Sequence, residues 1–203
     1  MWDKRYEAEQ YVYGKTPNQF FKKNIDALNY KGNILFPAEG EGRNAVYAAK
    51  KGHSVLAFDI SQTGKKKALK LAKEESVYID YMVGEIGDLN LKEETFDMAV
   101  LTSAHFPPAI RQDTHLKIGK LIKPEGLIIL EGFSKNNLAY REQNPGVGGP
   151  AEKEMLFTQE MIASDFEEFD IVSLEETEIK LKEGILHNGI AKVIRFIGKK
   201  RRE

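Results

Sequence analysis

Short apolar runs alternate with longer amphipathic ones along most of this chain, the pattern of repeated β–α–β units around a parallel sheet. Asn33–Pro37 is the first apolar run and predicts a strand. A helix is expected to follow over about Gly42–Lys51, where Ala45, Ala48 and Ala49 give a small face suited to close packing on a sheet, and Gly52 stops it. Ser54–Asp59 reads as a second strand, and Ser61 is placed to cap a lysine-rich helix to about Glu75. Further strands are predicted near Tyr78–Val83 and at Phe96–Thr102. Pro107-Pro108 opens a helix to about Ile122, since proline suits the first helical turn, and a turn at Lys123–Gly126 leads into a strand at Leu127–Phe133.

Beyond this point the pattern changes. Residues 134–155 carry Asn-Asn, Asn-Pro-Gly and Gly-Gly-Pro, turn chemistry too dense for a regular element, and predict a long loop of the kind that is either a functional lid or disordered. Thr158 is placed to cap a short helix to about Glu168. Ile171–Lys182 and Ile190–Gly198 alternate apolar and polar positions in part, with Glu183-Gly184 and Asn188-Gly189 between them, and read as an antiparallel pair closing the sheet. The expected fold class is therefore α/β and doubly wound. One structural unit is expected, residues 31–203 with an N-terminal helical cap over residues 1–30.

Composition narrows the function classes. At 203 residues, 41% hydrophobic and 30% charged, the chain has the make-up of an ordinary globular protein with one core. Its apolar runs are too short to span a bilayer, and no apolar region follows the first residues, so no signal peptide and no membrane partner are expected. The absence of cysteine excludes disulfides, thiolate zinc sites and a cysteine nucleophile, and fits a cytoplasmic protein. Thirty basic and 31 acidic residues make no electrostatic case for nucleic acid. The cluster Lys65–Lys67 with Lys70 and Lys73 reads as a solvated helix face, and the basic tail 199–202 as a frayed end. No histidines and carboxylates stand at helical ligand spacing, so no metal site is expected. Oligomeric state is not encoded in any readable way.

Candidate chemistry begins at Gly40-Glu41-Gly42-Arg43-Asn44-Ala45, which matches the pattern G-x-G-x-x-G/A between a strand and a helix. Asp59 ends the next strand, 17 positions past Gly42, where an acid can take both hydroxyls of a ribose. These features fit any adenosine-containing cofactor. Charge separates the candidates: Glu39 and Glu41 would oppose the pyrophosphate of a nicotinamide dinucleotide at short range. They suit the sulfonium and ammonium groups of S-adenosyl-L-methionine. An NAD-dependent oxidoreductase is the disfavoured rival.

The stretch Ile34-Leu35-Phe36-Pro37-Ala38-Glu39-Gly40-Glu41-Gly42-Arg43-Asn44-Ala45 resembles motif I of the class I S-adenosylmethionine-dependent methyltransferases, and its Gly-Glu-Gly-Arg-Asn core is similar to the tellurite-resistance and thiopurine branch. Leu156-Phe157-Thr158 and the closing strand 193–197 resemble that branch as well. The resemblance implies a Rossmann-like, mostly parallel seven-stranded sheet with a C-terminal antiparallel hairpin, and methyl transfer to a small molecule such as a thiol or metalloid oxyanion. It implies a cofactor site of Ala38, Glu39, Gly40, Gly42, Arg43 and Asn44 in the loop, with Asp59 on the ribose and Ile60 packing on adenine. Glu85 and the Ile86 backbone would stand at the adenine edge, with Asp88 as the alternative reader, and Thr102 and Ser103 beside the methionine portion. Two departures from the family pattern stand out. Phe36 replaces the acid that orients the ammonium group, a task left to Glu39, and Ala38 replaces a glycine. They keep open a protein that senses S-adenosylmethionine without transferring its methyl group.

In an open α/β sheet ligands bind outside the carboxyl ends of the strands, which selects Thr102–Pro107, Glu131–Ser134 and the loop after them. The N-terminal segment with Tyr6, Tyr11, Tyr13 and Phe20 is expected to close over the same face, Tyr13 joining the cofactor site by cation–π contact worth about 0.5–2 kcal/mol. His105, after the fourth strand, is the candidate general base for an oxygen or nitrogen acceptor. His53 and His115 are expected at the surface, and His187 in the final hairpin loop.

Overall fold

A computed structural model describes residues 1–202. Seven strands form one sheet: β1 Asn33–Pro37, β2 Ser54–Asp59, β3 Asp80–Val83, β4 Phe96–Thr102, β5 Ile122–Phe133, β6 Phe169–Glu183 and β7 His187–Lys200. Their order is β3-β2-β1-β4-β5-β7-β6. The first five run parallel, and β7 lies antiparallel to both β5 and β6. Chain order reverses between β1 and β4, which opens a crevice at their carboxyl ends. The helices are α1 Trp2–Tyr6, α2 Gln19–Asp26, α3 Arg43–Lys50, α4 Gln62–Glu74, α5 Pro108–Leu121, α6 Asn137–Gln143 and α7 Gln159–Asp165. No helix among the described residues is long and apolar enough to cross a membrane.

Alternation along β1 divides the core, because successive strand side chains point to opposite faces. Ile34 and Phe36 join Ala45 and Ala48 of α3 and Leu71 of α4 on one face. Leu35 joins Ile118 of α5 and Ile162 of α7 on the other. The local stop and start signals act as expected: Ser61 Oγ accepts from Gly64 N–H at 2.9 Å and Thr158 Oγ1 from Met161 N–H at 3.2 Å.

Three segments differ from the sequence expectation. Lys123–Gly126 is an excursion within β5: the β4–β5 ladder jumps from Phe96↔Ile122 to Met98↔Leu127 around a left-handed Glu125 (φ 67°). Residues 134–155 are not an irregular loop but contain α6 and two 3-10 turns, Pro145–Val147 and Lys153–Met155. Tertiary bonds order this segment, Asn137 accepting from Lys192 N–H at 2.9 Å and donating to the Gly148 carbonyl at 3.3 Å. The final hairpin is longer than the alternation showed, with β6 and β7 paired from Phe169↔Lys200 to Glu183↔His187. His187 consequently begins a strand and is buried.

Candidate functional site

The β1–α3 loop turns on three left-handed residues, Ala38 (φ 51°), Gly40 (φ 61°) and Gly42 (φ 86°). At Ala38 the conformation costs about 1–2 kcal/mol that a glycine would not incur. Ser103 at the end of β4 is left-handed too (φ 53°), so strained backbone borders the crevice on both sides. A Cβ on Gly42 would stand 2.5 Å from the Ala68 Cβ, so the glycine lets α3 pass against α4. The Gly40 N–H donates to Asp59 Oδ2 at 3.0 Å, and its carbonyl accepts from the Tyr81 hydroxyl at 2.6 Å. Asp59 Oδ1 accepts from Ser61 N–H at 2.8 Å, and burial at the end of β2 raises its carboxyl above the ordinary range. Ile60 beside it is exposed.

The two loop glutamates do different things. Glu39 Oε1 accepts the N–H groups of Asn44 and Ala45, each at 2.8 Å, in the first turn of α3. Loss of solvent pushes its carboxyl up to about 7, against the pull of those two N–H groups. A side-chain carboxylate thus fills the helix N-terminal position that a dinucleotide pyrophosphate uses. Glu41 turns away: its Oε2 accepts from Val12 N–H at 2.8 Å and Tyr13 N–H at 3.4 Å, and its Oε1 pairs with Lys67 at 2.6 Å. The expectation that both glutamates lend negative charge to the loop is corrected, because Lys67 neutralises Glu41.

Several residues instead tie the N-terminal segment down. Lys67 also donates to the carbonyls of Ala8 and Gln10, each at 2.7 Å. Asp3 accepts from Ser61 Oγ at 2.7 Å and Thr63 N–H at 2.8 Å. Tyr6 lies over the loop, its hydroxyl 2.6 Å from where a Gly40 Cβ would stand. Arg43 donates to the Tyr13 carbonyl at 3.1 Å and pairs with Glu183 at 2.8 Å, and Asn44 Oδ1 accepts from Asn18 N–H at 2.9 Å. Arg43 and Asn44 therefore clamp this segment with side chains that the glycine motif assigned to a cofactor. The Tyr13 ring packs 4.5 Å from the His187 ring and 6.5 Å from Tyr6.

Around the crevice, Thr102 ends β4 half-buried and Ser103 N–H donates to the Glu131 carbonyl at 2.7 Å. Glu85 is exposed at the carboxyl end of β3, followed by Ile86, which packs on the core. Glu131 at the end of β5 accepts from Asn18 Nδ2 at 2.6 Å and Arg195 Nε at 2.7 Å. His105 is placed here as expected, but both its nitrogens are occupied. Nδ1 donates to the Met155 carbonyl at 2.8 Å, and Nε2 accepts from Phe133 N–H at 3.0 Å. Its ring stacks 4.3 Å from Phe157, and burial pulls its pKa down to about 4. With no lone pair left for a substrate proton, the general-base role is withdrawn. His53 and His115, expected at the surface, are buried at 6% and 0% exposure. His53 Nδ1 accepts from Gly32 N–H at 3.3 Å, while His115 Nδ1 meets Asp165 at 2.8 Å. Sequence reasoning missed the Glu183–His187 contact at 3.2 Å, for which the four-residue spacing across a turn was the only signal.

Residues 34–126 match a family model described as a methyltransferase domain. Solved structures share the fold over most of the chain. One, from work on the conversion of a disulfide bond into a thioacetal group during echinomycin biosynthesis, is 17% identical over 97% of this chain and 88% of its own, with a TM-score of 0.78. TehB from Haemophilus influenzae is 13% identical over 91% of this chain and 63% of its own, at 0.72. The Burkholderia thailandensis 1,6-didemethyltoxoflavin-N1-methyltransferase, solved with bound 1,6-didemethyltoxoflavin and S-adenosylhomocysteine, is 18% identical over 91% of this chain and 79% of its own, at 0.64. No curated protein sequence matches the chain.

Proposed function

We propose that this chain, whose residues 34–126 match a methyltransferase-domain model and whose seven-stranded fold is shared with solved methyltransferases, transfers the methyl group of S-adenosylmethionine to a small molecule. The observation that carries the reading is the Glu39 carboxylate seated on the N-terminus of α3. It occupies the helix N-terminus that a pyrophosphate would use, and burial raises its carboxyl to about 7. The acid at the end of β2, Asp59, and the glycine turn complete a cradle suited to a cationic nucleoside without phosphate.

In this reading Asp59 holds the ribose hydroxyls, Ile60 covers adenine, and Glu85 with the Ile86 backbone meets the adenine edge. Glu39 takes the ammonium group, with Thr102 and Ser103 beside it. The remaining loop residues, Ala38, Gly40 and Gly42, shape the turn, while Arg43 and Asn44 hold the N-terminal segment over it, and Tyr13 walls the site. The cofactor supplies an already activated methyl group, so these residues bind, align and exclude water. The resemblance to the tellurite-resistance and thiopurine branch supports a thiol or metalloid oxyanion as acceptor. The composition supports a cytoplasmic setting, with residues 1–30 acting as the cap on residues 31–203.

One observation favours a second reading, an S-adenosylmethionine sensor. Phe36, where the family places an acid, is fully buried against Phe21 at 5.6 Å and cannot bind an ammonium. Incubation with methyl-labelled S-adenosylmethionine and a panel of thiols, phenols and metalloid oxyanions separates the two. The enzyme reading expects labelled product together with stoichiometric S-adenosylhomocysteine. Cofactor binding without turnover across the panel supports the sensor.

A further inference from the structure

The β6–β7 turn folds inward over the crevice. Gly184 (φ 59°) lies so close to the N-terminal segment that a Cβ on it would stand 2.2 Å from the Val12 carbonyl, and Ile185 N–H donates to that carbonyl at 2.9 Å. This contact brings the last residue of β6 and the first of β7 above the carboxyl ends of β1 and β5. His187 there is 5% exposed, between the Tyr13 ring at 4.5 Å and the Phe133 ring at 5.2 Å.

Glu183 Oε2 receives Arg43 Nη2 at 2.8 Å and contacts His187 Nδ1 at 3.2 Å. Arg43 and His187 together hold the Glu183 carboxyl down to about 2 despite its burial, so it is an anion at any working pH. An anion against Nδ1 keeps the proton on that nitrogen and leaves the lone pair on Nε2. Among the described residues nothing hydrogen-bonds Nε2. The backbone of Gly148 (φ 84°) faces it, a Cβ there coming within 2.9 Å. His105 uses both its nitrogens, and the Nε2 of His115 is sealed in the core. The charged and titratable groups facing His187 are Glu183 on its own turn, Arg43 from α3, Tyr13 from the N-terminal segment and His105 beyond β4.

Resting on the methyltransferase reading, we propose that His187 is the general base of the acceptor site, with Glu183 and Arg43 as its positioning residues, and that the acceptor is a hydroxyl that keeps its proton at neutral pH, of the phenol type. The acceptor O–H proton passes to Nε2 while an oxygen lone pair forms the new bond to the methyl carbon. The electron pair of the breaking carbon–sulfur bond stays on sulfur, and the proton leaves Nε2 to water after product release. A thiolate or oxyanion already carries its charge and has no use for a carboxylate-held imidazole, so this base sets a phenol-type acceptor against the thiol or metalloid oxyanion that the family resemblance suggests. Two aromatic rings beside the base suit a flat acceptor.

Diethyl pyrocarbonate acylates a reachable, unprotonated imidazole nitrogen and needs neither cofactor nor acceptor. With peptide mapping of the wild-type protein, His187 is expected to be acylated at Nε2 far faster than His105 or His115. Glu183→Gln removes the anion that keeps the proton on Nδ1 and weakens Nε2 as a nucleophile, so acylation at pH 8 should slow about threefold. His187→Gln should keep its affinity for S-adenosylhomocysteine within about threefold while losing about a hundredfold in turnover of 4-nitrocatechol. An unreactive His187 in the folded wild-type protein overturns the proposal, as does acylation indifferent to Glu183→Gln. Failure of the wild-type protein to bind S-adenosylhomocysteine overturns instead the reading on which the base rests, whatever the reactivity of His187.

Discussion

Asn18 Nδ2 donates to Glu131 Oε1 at 2.6 Å, joining the N-terminal segment to the end of β5 across 113 positions of sequence. The same asparagine caps α2, its Oδ1 accepting from Phe21 N–H at 3.0 Å, and its own N–H reaches Asn44 of the glycine loop. One residue thus fixes α2 against both halves of the crevice, through its side chain on Glu131 and its backbone N–H on Asn44. Asn18→Ala removes the cap and the carboxylate contact together and should cost about 1–2 kcal/mol of stability. Chemical denaturation measures that loss, and limited tryptic cleavage at Lys15 should quicken alongside it. Unchanged stability with unchanged cleavage would mean that the segment is held elsewhere.

Glu41 and Lys67 form a buried pair whose remaining bonds all go to the N-terminal backbone. Glu41→Gln leaves the lysine short of its counter-ion and should destabilise the fold by about 3 kcal/mol, read from the denaturant midpoint. Cofactor affinity should fall with it through loosening of the cap, and a double change of Glu41→Gln with Lys67→Met should recover much of the stability. A Glu41→Gln protein as stable as wild type would show the pair to be incidental.

His105 should stay neutral far below the usual imidazole range, since burial pulls its pKa from the ordinary 6.5 to about 4. The unfolded chain takes up this proton below pH 6.5 and the folded one does not, so stability is lost as pH falls from 6.5 toward 4. A nuclear magnetic resonance titration of the imidazole should show Nδ1–H and a bare Nε2 throughout pH 5–8. An inflection near 6.5 would return His105 to the list of candidate bases.

Glu39 runs the opposite way. Its carboxyl is raised from the ordinary 4.5 to about 7, so its contribution to stability is full below 4.5 and lost as pH rises through 7. Glu39→Gln should therefore gain on wild type above pH 7. A ligand ammonium beside the carboxylate favours the ionised form, so binding near pH 6 should release about one proton. Calorimetry of S-adenosylhomocysteine binding in buffers of different ionisation enthalpy counts that proton. Proton uptake, or none, would place the ammonium elsewhere.

The strand–loop–helix around Gly40 was legible because its signals are local: an apolar run, glycines where the chain is left-handed, a small alanine face on α3. The caps at Ser61 and Thr158 were legible for the same reason. The side-chain partners of Arg43, Asn44 and Glu41 were not legible, because Glu183, Asn18 and Lys67 lie far off in sequence and no motif states which way a side chain turns. His115 looked like a surface residue because only Asp165 on a later helix gives its imidazole a reason to face inward. The order in residues 134–155 escaped notice because Asn137 gets its bonds from β7 and the Gly148 turn rather than from its own helix.

The central claim is that the cradle formed by Glu39, Gly40 and Asp59 takes a cationic adenosine cofactor and refuses a pyrophosphate. Titration calorimetry of the wild-type protein with S-adenosylhomocysteine and, separately, NADH measures it directly. Micromolar-range binding of the first is expected, weakened by about 1–3 kcal/mol in Asp59→Ala, with no heat from the second. Tight NADH binding, or no binding of S-adenosylhomocysteine, would contradict it.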